Sequence, residues 1–481
     1  MLAWRARTMR GVLPTRAAPP SLTRRLLSSS SHSYDAIIIG AGVIGTSIAT
    51  ELARDGWRTL NIDALHGVGC GSTSYSSGIV RLTYSIAESV KFAWEGYHYW
   101  DEWEEHIAVK DERGLAKFRR CGQLIPRSSA AEPFLSRTLA CFEQLGLPYE
   151  EWPAATVRQR LGFDLRSYAP PRRIDDERFG EHNGSEIEGG VYFPLAGYVS
   201  DPTLATHNLQ AAALATGRAS FAFGARAAAI LRTRGGRVAG VRLADGAALS
   251  SPVVVNAAGP HSAAVTRLAF PAAEANDMRL STRPMRQEVA YARAPPGVDW
   301  GEGGVGLVVS DPDVGVYWRP EVGGKILCGS LEPPCDVPTH RYVDDPEAVY
   351  PGGAESSLTE QWTNQVYRAA LRMPSMPLPD AAGTQGVVAC YDVTDDWTPI
   401  YDGSALPGYY MAIGTSGNQF KNAGIAGRLM REIIKAREGG EDLDAHPLQL
   451  PLLRAPGGLS IDTGVFSRLR SAHQTSGSVM G

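Results

Sequence analysis

The chain has 481 residues, 43% of them apolar and 20% charged, with a formal net charge of -4. That length exceeds one ordinary core and predicts two domains, consecutive or interleaved. The charge balance excludes the basic face of a nucleic-acid-binding protein and points to small-molecule chemistry.

The first 34 residues carry six arginines (Arg5, Arg7, Arg10, Arg16, Arg24 and Arg25), a serine run from Ser28 to Ser31, and no Asp or Glu. A positive, acid-free segment is what an import receptor and a membrane potential act on, so residues 1–33 are expected to be an organelle transit peptide. Arg25-Leu26-Leu27 before Ser28 looks like a matrix-processing site, and the dominance of Arg over Ser favours the mitochondrial matrix over the plastid. The other reading is a disordered basic tail on a cytosolic protein. No apolar run approaches the roughly 20 residues that span a bilayer.

Tyr34 to Ile39 is a short apolar run that leads into Gly40-Ala41-Gly42-Val43-Ile44-Gly45. A helical stretch from Val43 to Arg54, a closing Gly56 and a second strand from Arg58 to Ile62, ending at Asp63, complete a dinucleotide-binding pattern. Gly40 permits the tight turn, Gly42 lets the backbone approach a pyrophosphate, and Gly45 lets helix and strand pack closely. The helix N-terminus faces phosphate charge, and Asp63 accepts from a ribose.

From Ser85 to Val109, Phe92, Trp94, Tyr97, Trp100 and Trp103 recur largely at three- and four-residue spacing, which predicts a helix packing an aromatic face into the core. Gly240 to Gly246 reads as a hairpin around Asp245-Gly246. The run Val253-Val254-Val255-Asn256-Ala257-Ala258-Gly259 reads as a buried strand ending in small residues, as if the chain returns to its nucleotide-binding sheet after an inserted domain. Arg283-Pro284-Met285-Arg286-Gln287 opens a strand-rich stretch with Val316–Pro320 and Lys325–Leu331, expected to form a mixed sheet flooring a pocket. Tyr317 and Arg319 alternate on one such strand and share a face, lining the site or capping its edge. His340–Ser357 is acidic and Pro/Gly-rich, hence a surface excursion. Tyr391 is placed in a loop before the last nucleotide-sheet strand, with a pocket role. Tyr409 to Lys421 repeats the sequence of strand, glycine turn and helix start, with a helix from about Ala423 to Lys435. Beyond Pro456 the Gly/Ser-rich tail is expected to be disordered.

Six cysteines (Cys70, Cys121, Cys141, Cys328, Cys335 and Cys390) form no C-x-x-C pair and are expected to be mostly buried thiols in a reducing compartment. The ten histidines show no metal-ligand spacing, and no metal is expected.

The glycine fingerprint alone does not separate FAD from NAD. These elements in this order, with Gly71-Ser72-Thr73 after the ribose acid and Gly197-Tyr198-Val199-Ser200-Asp201-Pro202 before a helix, resemble the D-amino-acid oxidase superfamily. The likeness is closest to the branch of sarcosine oxidase, sarcosine and dimethylglycine dehydrogenase, glycine oxidase and the FAD-dependent oxidoreductase domain-containing proteins, and covers about Tyr34 to Lys435. It implies an α/β (α+β overall) fold in which a Rossmann-type FAD-binding domain is interleaved with a substrate domain on a mixed β-sheet. The FAD-binding parts are then 34–90, 191–282 and 390–440, the substrate domain is mostly 91–190 and 283–389, and 441–481 is a C-terminal tail.

The resemblance also implies residue roles. Ser72, Thr73 and Ser74 look like the loop over the flavin phosphates and ring, and Ala227 matches a small residue whose backbone contacts the adenine. Ala258 and Gly259 bring backbone to the cofactor, and Gly417, Gln419, Phe420 and Lys421 match the segment along the isoalloxazine ring. Arg81 and Lys421 match two cations that hold a substrate carboxylate; with Tyr317 and Tyr391 they are the expected catalytic set. A guanidinium pairing with a carboxylate beside an ammonium would pin a small carboxylate-bearing amine. Hydride transfer to flavin then needs positioning more than acid–base groups.

Departures from the family pattern carry expectations of their own. The cysteine that anchors flavin in sarcosine oxidases lies two residues before a tyrosine; matched to Tyr391, that position is Ala389, with Cys390 one place off, so non-covalent FAD is expected. The oxygen-activating lysine matches Leu327, with Lys325 two residues away on the same strand face, and an arginine three residues before Arg81 is replaced by Gly78. A dehydrogenase passing electrons to a carrier protein fits these changes. The alternative function is a flavin-fold assembly factor for a mitochondrial respiratory complex, and an NAD-dependent dehydrogenase is the third reading.

Overall fold

The computed structural model describes residues 33–272, 275–297, 306–337, 342–378 and 383–481. Apart from Ser33, the expected transit peptide lies outside the described residues, as does the start of the His340–Ser357 excursion. Among the described residues no helix is long and apolar enough to cross a membrane.

The nucleotide-binding sheet has six strands in the order Ile400–Asp402, Tyr409–Ile413, Val253–Asn256, Ala36–Ile39, Thr59–Asp63 and Ala219–Phe223. All neighbours run parallel except the first pair. Ala36–Ile39 and Val253–Asn256 are buried along their whole length. Strands covered on both faces in a parallel sheet read as continuous apolar runs, as these do. The helix Val43–Arg54 packs against Pro202–Ala215 and Ala423–Glu438. Three separated stretches of chain thus build one sheet, the interruption anticipated from the Val253–Gly259 run.

The interrupting segments form a mixed eight-stranded sheet in the order Gln385–Thr394, Thr282–Arg293, Lys325–Ser330, Val316–Glu321, Val308–Asp311, Gln123–Pro126, Gly189–Phe193 and Glu150–Pro153. Val308–Asp311 pairs parallel with Gln123–Pro126, and the other neighbours are antiparallel. Tyr391, expected in a loop, lies inside the long first strand, paired with Met285. The helix Glu360–Arg372 covers this sheet, with Trp318, Ile326 and Cys328 beneath it. Its Arg372 is pinned between Asp311 and Asp313 at 2.8 and 2.7 Å, and its Arg368 to Asp336 at 2.6 Å, so buried charge is paired rather than exposed. The aromatic stretch folds as two helices, Ala87–Asp101 and Trp103–Ile107.

The disorder expected beyond Pro456 is not found. Ser460–Asp462 pairs with Gln449–Pro451, a 3-10 turn spans Thr463–Phe466, and Ile461 and Phe466 are buried in the main core. The buried Glu95 carboxylate accepts from the N–H groups of Leu453, Arg454 and Ala455 at 3.0, 3.0 and 2.9 Å. Arg468 is held by Asp277, Asp402 and Asp444, and Arg470 by Asp396. Composition alone predicted a solvated segment; long-range ion pairs fix it in place.

Candidate functional site

The glycine turn is built for close backbone approach. A Cβ on Gly40, whose φ is +113°, would come within 2.3 Å of the Ala257 carbonyl oxygen, and one on Gly45 within 2.1 Å of the Gly40 oxygen. Beside Gly42 the Thr73 hydroxyl accepts from the N–H of Val43 at 3.1 Å, marking where the first helical N–H groups meet an acceptor. That helix has no acidic residue in its first turn to compete with a phosphate. Asp63 at the end of its strand accepts from the N–H groups of Ala41 and Leu65 at 2.7 and 2.8 Å, which fixes its carboxylate beside the turn with lone pairs left over for a ribose. The loop before Ala227 is tied to the same strand end, with the N–H of Ala225 donating to the Asp63 oxygen at 2.8 Å. Gly259, at φ +53°, turns the chain out of the Val253–Asn256 strand directly after Ala258. These residues fit a bound dinucleotide.

Ser72 donates to the carbonyl of Cys390 at 2.8 Å and is 2.7 Å from the Tyr350 hydroxyl, so the loop over the cradle is fastened to the substrate sheet. Tyr350 belongs to the expected surface excursion, which also sends Val343 and Val349 into a small core with Cys390. Ser74 is not drawn in; its hydroxyl donates to Gly71 within its own exposed turn.

A pocket lies between the two sheets, lined by Ser77, Arg81, Tyr317, Leu331, Phe420 and Lys421 among others. Arg81 and Lys421 are 5% and 3% exposed. The Arg81 guanidinium sits 4.6 Å from the centroid of the Tyr84 ring and the Lys421 ammonium 5.3 Å from the same centroid. Burial, reinforced by Arg81, pushes Lys421 well below the usual lysine range. Its ammonium donates to the Asn418 carbonyl at 2.6 Å and the Tyr84 hydroxyl at 3.1 Å. The adjoining Phe420 ring stacks on Trp100 at 5.1 Å, and the Trp100 indole donates to the Lys421 carbonyl at 2.6 Å, so the aromatic helix backs the site.

Tyr317 and Tyr391 are hydrogen-bonded to each other, and burial pushes the Tyr317 phenol up to about 12. Gly417 makes room for Tyr391: a Cβ there would lie 2.5 Å from the ring. The structure therefore brings Arg81, Lys421, Tyr317, Tyr391, Gly417 and Phe420 together. Gln419 does not face the pocket; its amide is engaged with Tyr401, Asn418 and Asn422. Arg319 is an edge residue, donating to the Ser77 and Pro320 carbonyls and pairing with Glu321.

Three groups here were not singled out from sequence. Tyr84 bridges the two cations. Asp392 accepts from Ser262 and from the N–H of Gly414, joining residues far apart in the chain at one carboxyl. Glu332, with φ +52°, follows the pocket-lining Leu331, and its Oε2 accepts from the N–H of Val479. Val479 and Met480 themselves line the pocket, and both carbonyls accept from Arg81.

The chain matches the family model for DAO, FAD dependent oxidoreductase, over residues 35–433, and belongs to that family. It is 26% identical over 264 residues to the tRNA 5-methylaminomethyl-2-thiouridine biosynthesis bifunctional protein MnmC of Cupriavidus necator, covering 54% of this chain and 34% of that protein. To the monomeric sarcosine oxidase of Arthrobacter sp. it is 27% identical over 140 residues, 27% of this chain and 34% of that protein. The chain thus spans about a third of the length of these curated relatives. Among solved structures, L-proline dehydrogenase from P. horikoshii superimposes with a TM-score of 0.65 at 18% identity, over 86% of this chain and 95% of that chain. The cofactor is FAD, held in a Rossmann-type fold.

Proposed function

We propose that this FAD dependent oxidoreductase oxidises the C–N bond of a small amino acid or N-methyl amino acid by hydride transfer, and that it passes the electrons to a carrier protein in the mitochondrial matrix. The observation that carries the substrate class is the pair of buried cations, Arg81 and Lys421, sharing the Tyr84 ring at one end of the pocket. Buried cations are costly without an anionic partner, and among the described residues the donors of Arg81 reach neutral carbonyl and hydroxyl oxygens: those of Thr83, Val479 and Met480. A substrate carboxylate supplies the missing charge and a fork matched to the guanidinium.

FAD held against the Gly40–Gly45 turn and the Gly417–Lys421 segment supplies an acceptor for two electrons. The protein's part is orientation. Arg81 and Lys421 fix the carboxylate end, Phe420 and Tyr317 close the walls, and the Tyr317–Tyr391 hydroxyl pair is protonated at neutral pH, as phenols are, with burial raising both further. The arginine-rich leader supports the location. The sarcosine oxidase and proline dehydrogenase likenesses are consistent with an amino-acid-type substrate.

Arg81→Ala should weaken substrate binding by about 1.5–3 kcal/mol, the worth of a charge-assisted hydrogen bond, with flavin content unchanged. Steady-state kinetics alongside the flavin-to-protein absorbance ratio measures both. Parent-like kinetics, or simple loss of flavin, would show that Arg81 is not the carboxylate site.

A further inference from the structure

Val479 sits in the pocket the way an amino acid would. Its carbonyl oxygen accepts from Nη2 of Arg81 at 2.7 Å, and its N–H donates to Oε2 of Glu332 at 2.9 Å. The Met480 carbonyl is a second oxygen on the same Nη2, at 2.9 Å. Between Glu332 and Arg81 the chain thus places a nitrogen, one carbon and a carbonyl carbon, which is the backbone of an α-amino acid.

From this we infer that Arg81 and Glu332 are the two ends of a clamp for an α-amino acid. Glu332 receives the substrate nitrogen, and residues 476–481 are a built-in occupant that substrate displaces. The inference rests on the carboxylate-binding reading above and narrows it to substrates whose nitrogen and carboxylate share one carbon.

Independent features of Glu332 support the assignment. Its Oε1 is shut off from solvent and has no hydrogen-bond partner among the described residues, a vacancy that an ammonium would fill. Its backbone is held at φ +52°, a conformation costly for a non-glycine residue and concentrated at functional sites. Burial pushes its carboxyl up to about 8, with Asp336 adding to the rise and the Val479 N–H opposing it. Tyr317 and Tyr391 also feel its charge, so a cation between these groups and Glu332 would restore the ionised form.

The occupant is largely buried, with Met480 in the main core, but few hydrogen bonds tie it to the earlier chain. The Arg470–Asp396 pair at 2.9 Å and the Thr475 hydroxyl on the Asp396 carbonyl, also at 2.9 Å, anchor the chain just before it. From there on, its hydrogen bonds to the earlier chain come from Arg81, Glu332 and Ser85. At Arg81 a zwitterion exchanges bonds from a charged donor to neutral carbonyls for a pair charged on both sides, and at Glu332 it replaces a neutral N–H donor by an ammonium.

Calorimetric titration of the FAD-loaded full chain tests this, using two pairs of probes: sarcosine against butyrate, and L-proline against cyclopentanecarboxylate. Val479→Pro removes the N–H that Glu332 holds, and should bind an amino acid about tenfold tighter than the parent. Adding Glu332→Gln should cost the amino acid about tenfold while the nitrogen-free partner binds as before. Adding Arg81→Ala should weaken both members of a pair. Equal loss of both with Glu332→Gln, no loss with it, or no amino-acid binding by Val479→Pro would overturn the clamp. Indifference to Arg81→Ala would instead overturn the carboxylate reading beneath it. Should the Gln variant not fold, a peptide of residues 475–481 added to Val479→Pro must compete with the amino acid, and failure to compete refutes the occupant.

Discussion

Cys390 and Tyr391 are neighbours on one strand and face opposite ways. Cys390 is 1% exposed among Val343, Val349 and Val388, and burial pushes its thiol up to about 12. The Tyr391 ring lies against the pocket-lining Gly417. Ala389 shares the Tyr391 face of the strand and has no sulfur. The thiol is therefore both turned away and held protonated, so FAD should be bound without a covalent link. Acid precipitation is expected to leave the yellow chromophore in the supernatant; chromophore in the pellet would contradict it.

Asp392 makes stability depend on pH in a defined direction. Burial pushes its carboxyl up to about 7, while the Gly414 N–H and the Ser262 hydroxyl pull the other way; the Cys390 thiol feels its charge. The folded value exceeds the unfolded one of about 3.9. The stability carried by the neutral form is therefore complete below the unfolded value and is lost as pH rises through about 7. In urea unfolding between about pH 5 and about pH 8, the parent should lose stability relative to Asp392→Asn, which has no charge to bury. A difference that does not change with pH would count against this account.

Oxygen should be a poor electron acceptor. Gly78 leaves no space for an arginine, since a Cβ there would come within 2.4 Å of the Val199 carbonyl oxygen, and Leu327 is packed in the core. Lys325 is engaged elsewhere, its ammonium donating to Gln385 at 2.7 Å in an exposed setting. Without a cation at either position that matches the oxygen-activating lysine or its partner arginine, the first electron transfer to oxygen should be slow. Stopped-flow reoxidation of the photoreduced protein in air-saturated buffer should be slow, and unchanged in Lys325→Met. Fast reoxidation that Lys325→Met abolishes would identify an oxidase.

The cofactor cradle was legible because its requirements are local: the spacing of Gly40, Gly42 and Gly45, with Asp63 at the end of the next strand, is set by backbone approach within one βαβ unit. The Val253–Gly259 run was legible because a doubly covered strand is apolar throughout. The pairing of Gln123–Pro126 with Val308–Asp311 left no such trace, since strand neighbours far apart in sequence are chosen by the assembled core. Residues 457–481 look disordered by composition because Gly and Ser content hides the partners of Arg468 and Arg470, which come from distant parts of the chain. Glu332 and Asp392 belong to no motif; what distinguishes them is burial, which a lone acidic letter does not reveal. Arg81 and Lys421 emerged only through family resemblance, and the structure adds the Tyr84 ring that joins them.

The most direct test of the central claim is anaerobic mixing of the FAD-loaded protein with N-methyl, cyclic and primary amino acids, and with the decarboxylated counterpart of each, while the flavin absorbance is followed. Oxidation of a carboxylate-anchored C–N bond predicts bleaching by at least one amino acid and none by its decarboxylated partner. If photoreduction shows the flavin to be redox-competent, yet no amino acid bleaches it even in Val479→Pro, or the decarboxylated amines bleach it equally well, the account is contradicted.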